Sequence, residues 1–226
     1  NIIVGGNWVI HSGSPLRKSS AATDEGFLPA QSTVRFTGSG TFGKNFFNVE
    51  FDTTSAMESD GNIQVTNRCT VLKNILLRRQ DTLLIQSAEP QAFVGGGTIA
   101  RGTIQRSISA SSTQPYRFES DSTYLRFSGS GTRPSIISVT TFPDTDATSI
   151  GAPWNVIPSH IDTLTNTIAA NKVTHFSKWA LGIPRPHASE HGPPVPVIKR
   201  LYEIVAEGGI SWGARLALHY QQSEIP

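Results

Sequence analysis

Apolar and polar residues alternate along most of this sequence, and that alternation limits the folds open to the chain. Ile63 and Val65, for example, alternate with Gln64 and Thr66. Successive side chains of a β-strand point to opposite faces, so the pattern places one face of each segment in a core. Such segments recur roughly every 10–13 residues between Gly, Asn, Asp or Ser, a spacing typical of sandwiches, barrels and solenoids. The sequence predicts an all-β fold with β-sandwich and/or β-solenoid segments, a Pro-rich connector and a C-terminal β-hairpin.

The composition favours a β-rich protein over a helical bundle or a disordered chain. Ser and Thr make up 47 of the 226 residues, with 20 Gly and 14 Pro. Helical bundles need many Ala, Glu, Lys, Leu and Arg instead. A disordered chain would carry fewer hydrophobic residues than the 37% found here and a net charge further from zero than +2. The best helix candidate, 159–171, is rich in Thr and Asn, which are poor helix formers.

Turn-forming stretches divide the chain into four predicted parts. A solenoid-like or sandwich-like strand repeat is expected over 1–110, and a second β region over 111–183. Five prolines within 184–196 predict a stiff, extended linker, because proline fixes φ and donates no backbone hydrogen bond. The segment 197–226 is predicted to form a β-hairpin that turns at its Gly-Gly pair.

The predicted hairpin is the part of the chain expected to contact a partner. A two-stranded hairpin is marginally stable alone in water, so this one needs a partner sheet in the same chain or in the next. A stiff linker could project it onto another subunit or domain, where a strand adds to an open sheet edge. The residues expected to pair between subunits are Ile198, Tyr202, Ile204, Leu216, Leu218 and Tyr220.

Charge and cysteine content exclude several classes of protein. There are 19 basic and 17 acidic residues, and no basic run is long enough to indicate nucleic-acid binding. No apolar run approaches the ~20 residues of a transmembrane helix. Cys69, the single cysteine, lies among apolar residues and is predicted to be a buried hydrophobe rather than a catalytic thiol. The chain opens without Met or a signal-peptide pattern, which predicts a processed or partial piece of a longer precursor.

The order of several short motifs resembles that of large secreted surface proteins of Bacteroidetes- and Chlorobi-type bacteria. The motifs, among them Val-Gly-Gly-Asn-Trp and Ser-Thr-Val-Arg-Phe-Thr-Gly, lie at 3–8, 32–38, 47–49, 62–65, 97–106, 116–118, 136–140, 173–182, 199–204 and 214–220. The resemblance implies a β-rich extracellular or cell-surface protein, often exported by type IX secretion, with structural or adhesive roles. The family's C-terminal sorting domain is not seen in this sequence. The resemblance transfers no catalytic residues.

Two patterns could hold a metal ion, and both have simpler interpretations. His187 to His191 matches an H-x-x-E-H metalloprotease pattern, but the surrounding prolines prevent the helix that this motif requires. Asp144 and Asp146 could both face a Ca²⁺ ion, but a full site needs six or more oxygen ligands, and a solvated turn explains them better. No G-x-S-x-G motif is present, so a serine hydrolase is not indicated. We therefore predict no cofactor, no metal site and no catalytic residue.

Exposed aromatic side chains could bind surface glycans. Trp154 and Trp179 are the candidates for stacking against sugar rings, although tryptophans of β-proteins more often fill the core. Three functions remain open. The first is a non-enzymatic extracellular structural protein that assembles with itself into a surface layer or filament. The second is an adhesin or glycan-binding module. The third is a polysaccharide-acting enzyme, which would need a charged cluster on one sheet face that the sequence does not reveal.

Overall fold

The computed structural model describes residues 2–6, 32–53, 57–143 and 200–220, and the strand backbone at 155–157, 161–162, 167–173 and 178–181. Its first part contains the strands β1 (Ile2–Val4), β2 (Thr33–Phe36), β3 (Gly40–Phe51), β4 (Met57–Val71), β5 (Thr82–Ile85), β6 (Phe93–Val94) and β7 (Gly102–Ser107), with a 3-10 turn at Pro90–Ala92. Its second part contains β8 (Tyr116–Arg117), β9 (Tyr124–Ser128), β10 (Ile136–Pro143), β11 (Asn155–Ile157), β12 (Ile161–Asp162), β13 (Thr167–Val173), β14 (Lys178–Leu181), β15 (Arg200–Glu207) and β16 (Gly213–His219). The all-β prediction is confirmed.

The first part is a β-solenoid-like stack of about three turns. Strands β1 to β7 pair in parallel, and Lys44, Ile63, Leu83 and Ile104 occupy equivalent positions in successive turns. The spacing of about 20 residues per turn is typical of solenoids. Each turn therefore buries its apolar face against the turns before and after it.

Inward-facing residues form columns that run along the solenoid. One column stacks Val34, Val49, Cys69 and Phe93 in register. Near the N-terminal end, Phe36 stacks on Phe51 with ring centroids 5.4 Å apart. These side chains are almost fully buried and belong to one continuous hydrophobic core. The alternation seen in the sequence is thus the in-and-out alternation of the solenoid walls.

The large sheet changes from parallel to antiparallel pairing at β10, where the second part joins the solenoid. Strand β10 pairs antiparallel with β7 and with β15, so the solenoid sheet continues through it. The complete order of this 11-stranded sheet is β1-β2-β3-β4-β5-β7-β10-β15-β14-β11, with β6 paired to β4. A second sheet of five strands has the order β12-β13-β16-β9-β8. The helix candidate at 159–171 is corrected, because its described residues form β12 and part of β13.

The two C-terminal strands form where predicted, but they do not make a hydrogen-bonded hairpin. Strand β15 is occupied on both edges by β10 and β14, and β16 is occupied on both edges by β13 and β9. Between them the chain turns through Gly208 and Gly209, both at positive φ, and crosses from one sheet to the other. Alternation specifies which face of a strand is buried but not which strand lies beside it.

Candidate functional site

A buried ion pair joins the two sheets of the second part. Arg200 on β15 donates to the carboxylate of Glu119, and the two side chains are 1% and 0% exposed. The Tyr202 hydroxyl lies against the other carboxylate oxygen and 2.6 Å from the backbone carbonyl oxygen of His219. Burial, and next the negative charge of Glu119, raise the pKa of Tyr202 well above its usual value. The hydroxyl therefore stays protonated, so it donates its one hydrogen to one of these two oxygens and can accept a hydrogen bond from Arg200, 3.5 Å away.

The loop before β9 supplies the remaining contacts of this cluster. Thr123 Oγ1 lies 3.4 Å from Glu119 Oε2 and accepts a hydrogen bond from the His219 backbone at 3.1 Å. Thr123 and Tyr202 therefore connect the ion pair to β16, the strand that ends at His219. Every group in the cluster has a partner, as buried polar groups require. The arrangement fixes the spacing of the two sheets.

A second buried cation lies where the solenoid meets the second part. Arg106 continues the inward column of Phe46, Val65 and Ile85 and is fully buried. Its guanidinium lies 5.2 Å from the ring centroid of Tyr116. Its partners are backbone carbonyl oxygens, those of Arg117 at 2.8 Å, Glu89 at 2.8 Å and Pro90 at 3.1 Å. Burial lowers the pKa of Arg106 to about 10.

The outer carboxylates of the solenoid contact arginines of neighbouring turns. Arg35 pairs with both Glu50 and Asp52, so these two carboxylates meet on one outward face. Arg78 pairs with Asp60 of the preceding turn at 2.7 Å, and Arg101 pairs with Glu58, which lies two turns away, at 2.6 Å. Exposed pairs of this kind contribute little to stability because solvent screens them, so their main effect is to fix the register of the turns.

Side-chain oxygens cap backbone donors at the corners of the solenoid. Asp81 accepts hydrogen bonds from the Ser59 hydroxyl at 2.6 Å and the Gly61 amide at 3.0 Å. Asn62 accepts from the Thr82 amide of the next turn, and Asn74 does the same for the Thr98 amide. The Asn, Asp and Ser residues between the apolar segments therefore stabilise the corners of the turns.

The large sheet ends in two short edge strands. Strand β1 pairs in parallel with β2, and at the opposite end β11 pairs in parallel with β14. Ile3, in the middle of β1, is 69% exposed. It lines a shallow pocket with Thr33, Arg35 and Glu50. Among the described strands, β1 and β11 each have one partner, so each presents one free edge.

The structure brings most of the expected pairing residues into the interior of their own chain. Tyr202, Ile204, Leu216, Leu218 and Tyr220 are each at most 2% exposed. Their strands already have partners within the chain, as described above. Ile198 lies outside the described residues.

The other candidate residues fall largely outside the described part of the chain. Asp144, Asp146, Trp154 and the H-x-x-E-H stretch lie there, and for Trp179 only the strand backbone is described. Trp212 is buried and packs edge-on against Phe127 at 5.7 Å. Within the described residues no group of three or more His, Cys, Asp or Glu side chains is placed to hold a metal ion. The same residues contain no helix long and apolar enough to span a membrane.

Sequence reasoning missed the roles of three charged residues, although a signal was present. Arg106 and Arg200 occupy inward positions of alternating strands, Arg106 between Ile104 and Ile108, and Arg200 in phase with Tyr202. A charged residue in phase with apolar neighbours indicates a buried ion or a polar cluster. Glu119 carried no comparable signal, because it lies outside any alternating segment.

Comparison with known proteins returns no relative for this chain: no protein-family model matches it, and no curated protein or solved structure matches it either.

Proposed function

We propose that this chain is a non-enzymatic structural protein of an extracellular surface that assembles with other copies of itself. The observation that carries the proposal is the single sheet that runs from β1 at one end to β11 at the other. Ten strands in this order, separated by about 4.8 Å, give a span of roughly 43 Å. Each terminal strand presents an edge to which a strand of another copy could add.

The use of the ionisable groups supports a structural role. The most deeply buried charged side chains, Arg106, Glu119 and Arg200, bind carbonyl oxygens or each other. The outer carboxylates of the solenoid are engaged by arginines of neighbouring turns, as described above. These groups hold strands and turns together. The extracellular setting follows from the motif resemblance and stays part of the proposal.

Assembly is proposed at the ends of the large sheet rather than at the C-terminal strands. Strands β15 and β16 have partners on both edges, so exchanging them would first require opening the second part of the fold. Strand β1 needs no such opening among the described residues. A sheet extended through its ends gives a head-to-tail contact, which builds a filament when it does not close into a ring.

Electron microscopy and analytical ultracentrifugation over a concentration series test the proposal. Filaments with one axial repeat, and a sedimentation coefficient that rises with concentration, are expected. Ile3→Lys places a charge on the exposed edge strand and should abolish assembly. Ile210→Lys is the matched control, because Ile210 is 73% exposed but lies in the turn between β15 and β16. Monodisperse wild-type particles at every concentration would overturn the proposal.

A further inference from the structure

Two arginines lie directly opposite each other on the outer face of the five-stranded sheet. Arg215 on β16 and Arg126 on β9 are register partners in an antiparallel pair. Both side chains are exposed, whereas Leu125 and Leu216, which alternate with them, are buried. Side chains directly opposite have Cβ atoms about 4.5–5.5 Å apart. The two positive charges therefore project side by side into solvent.

The repulsion between these two charges destabilises the sheet. Like charges directly opposite each other on neighbouring strands are destabilising. Within the described residues neither Arg126 nor Arg215 has an ion-pair partner, unlike Arg35, Arg78 and Arg101 on the solenoid. A local arrangement that costs stability without a compensating contact in the fold indicates a functional position.

The neighbouring outward positions carry a further arginine and a tyrosine. Arg117 on β8 is the register partner of Tyr124 on β9, one outward row away from the arginine pair. Arg117 is half-buried and contacts Asp121, which lies in the turn before β9, at 3.4 Å. The outward strand positions of β8, β9 and β16 thus carry three arginines and one tyrosine beside small or neutral residues, and none of them is acidic. Ala217, the register partner of Tyr124, is 1% exposed, so the open part of this face is the row of the arginine pair.

We propose that this outer face binds an anionic polysaccharide, with Arg126 and Arg215 donating hydrogen bonds to its carboxylate or sulfate groups. A guanidinium offers a planar fork of donors that matches both groups, and a bound anion would neutralise the repulsion between the two arginines. Tyr124, which is half-buried, lies one row away on the same strand as Arg126, where an aromatic ring can contact a sugar ring. Nucleic acid fits less well, because its binding sites use a larger basic surface than three arginines supply.

The proposal is independent of self-assembly, because it concerns a face of the second sheet and not the ends of the large one. Isothermal titration calorimetry of the full chain with polygalacturonate and with dextran sulfate separates carboxylate from sulfate recognition. Uncharged dextran and single-stranded oligothymidylate serve as comparison ligands. Wild-type protein is expected to bind at least one of the two polyanionic glycans, with an affinity that falls as salt rises from 50 to 500 mM.

The double variant Arg126→Gln/Arg215→Gln should lose at least about tenfold in affinity while its unfolding midpoint is unchanged or raised, since the repulsion is removed. Lys73→Gln/Arg79→Gln is the matched control, because it removes the same charge from exposed solenoid positions. It should change the affinity less than about twofold, because exposed charges far from a ligand are screened. The inference is overturned if wild-type protein binds neither glycan, if both double variants lose affinity equally, or if oligothymidylate binds as tightly as the glycans.

Discussion

Arg200 on β15 and Glu119 in the loop before β9 form an ion pair that is almost completely shielded from solvent. The two residues belong to opposite sides of the second part, so their contact closes one sheet over the other. A buried pair of this kind contributes little relative to an apolar replacement, but breaking it leaves one charge without compensation. The pair therefore explains the position of the second sheet better than it explains the overall stability.

Removing both partners of this pair should cost less stability than the two single removals added together. We expect Arg200→Met to lower the free energy of unfolding by about 3–5 kcal/mol, because the buried Glu119 loses its ion-pair partner Arg200. The double variant Glu119→Gln/Arg200→Met should lose clearly less than the sum of the two single variants. Urea unfolding of the four proteins measures the coupling. Strictly additive losses would show that the two groups do not interact in solution.

The Cys69 thiol should be inert in the folded protein and should make stability depend on pH above about 9. Burial raises its pKa to about 12 from an ordinary value near 9. Between these values the unfolded state has released a proton that the folded state keeps, so stability falls as pH rises, by at most about 1.4 kcal/mol per pH unit.

The comparison of wild type with Cys69→Ala isolates this effect. The lowered pKa of Arg106 acts in the opposite sense above pH 10, but both proteins contain Arg106. The difference in unfolding free energy between them should therefore shrink as pH rises from 8.5 to 10. Labelling with a disulfide reagent at pH 8 should be slow until denaturant is added. Rapid labelling without denaturant would place the thiol at the surface.

Arg106 is expected to stabilise the junction through its hydrogen bonds rather than through its charge. Arg106→Met keeps the apolar bulk but removes the guanidinium donor from the carbonyl oxygens of Arg117, Glu89 and Pro90, of which that of Glu89 still accepts from a backbone amide. We expect a loss of about 2–4 kcal/mol in the free energy of unfolding. Arg79→Met, an exposed control on the solenoid, should change it by less than about 0.5 kcal/mol. Similar results for the two variants, measured by thermal and urea unfolding, would contradict the buried role of Arg106.

Alanine substitutions at two glycines distinguish the cost of backbone strain from the cost of a steric clash. Gly61 and Gly102 have φ of 95° and 92°, so an alanine at either is strained. A Cβ at Gly102 would lie 2.5 Å from the Cβ of Leu77, whereas a Cβ at Gly61 would meet nothing within 4 Å. Gly102→Ala should cost about 1–3 kcal/mol more than Gly61→Ala, because only it overpacks the interior. Chemical denaturation of both variants measures the difference. Equal losses of unfolding free energy would show that Leu77 moves to make room for the added methyl group.

The sequence is sufficient to predict the faces of the strands but not their partners. The inward burial of Ile63, Val65 and Cys69 follows from residue type and alternation. Pairing of β15 with β10 and β14 depends on segments distant in sequence, and a Gly-Gly turn is compatible with either a hairpin or a crossing between sheets. The opposed arginines, Arg126 and Arg215, become neighbours only through that pairing.

The two parts of the fold also differ in how far apart in the sequence their contacts lie, and this affects the order of folding. Corner contacts of the solenoid join residues 19 or 20 positions apart, such as Asn48 with Asn67 and Thr82 with Asn62, whereas Glu119 and Arg200 are 81 positions apart. Closing a longer loop costs more entropy and slows folding. During synthesis from the N-terminus, the solenoid turns can therefore form one after another. The second part cannot form until β15 and β16 have been synthesised.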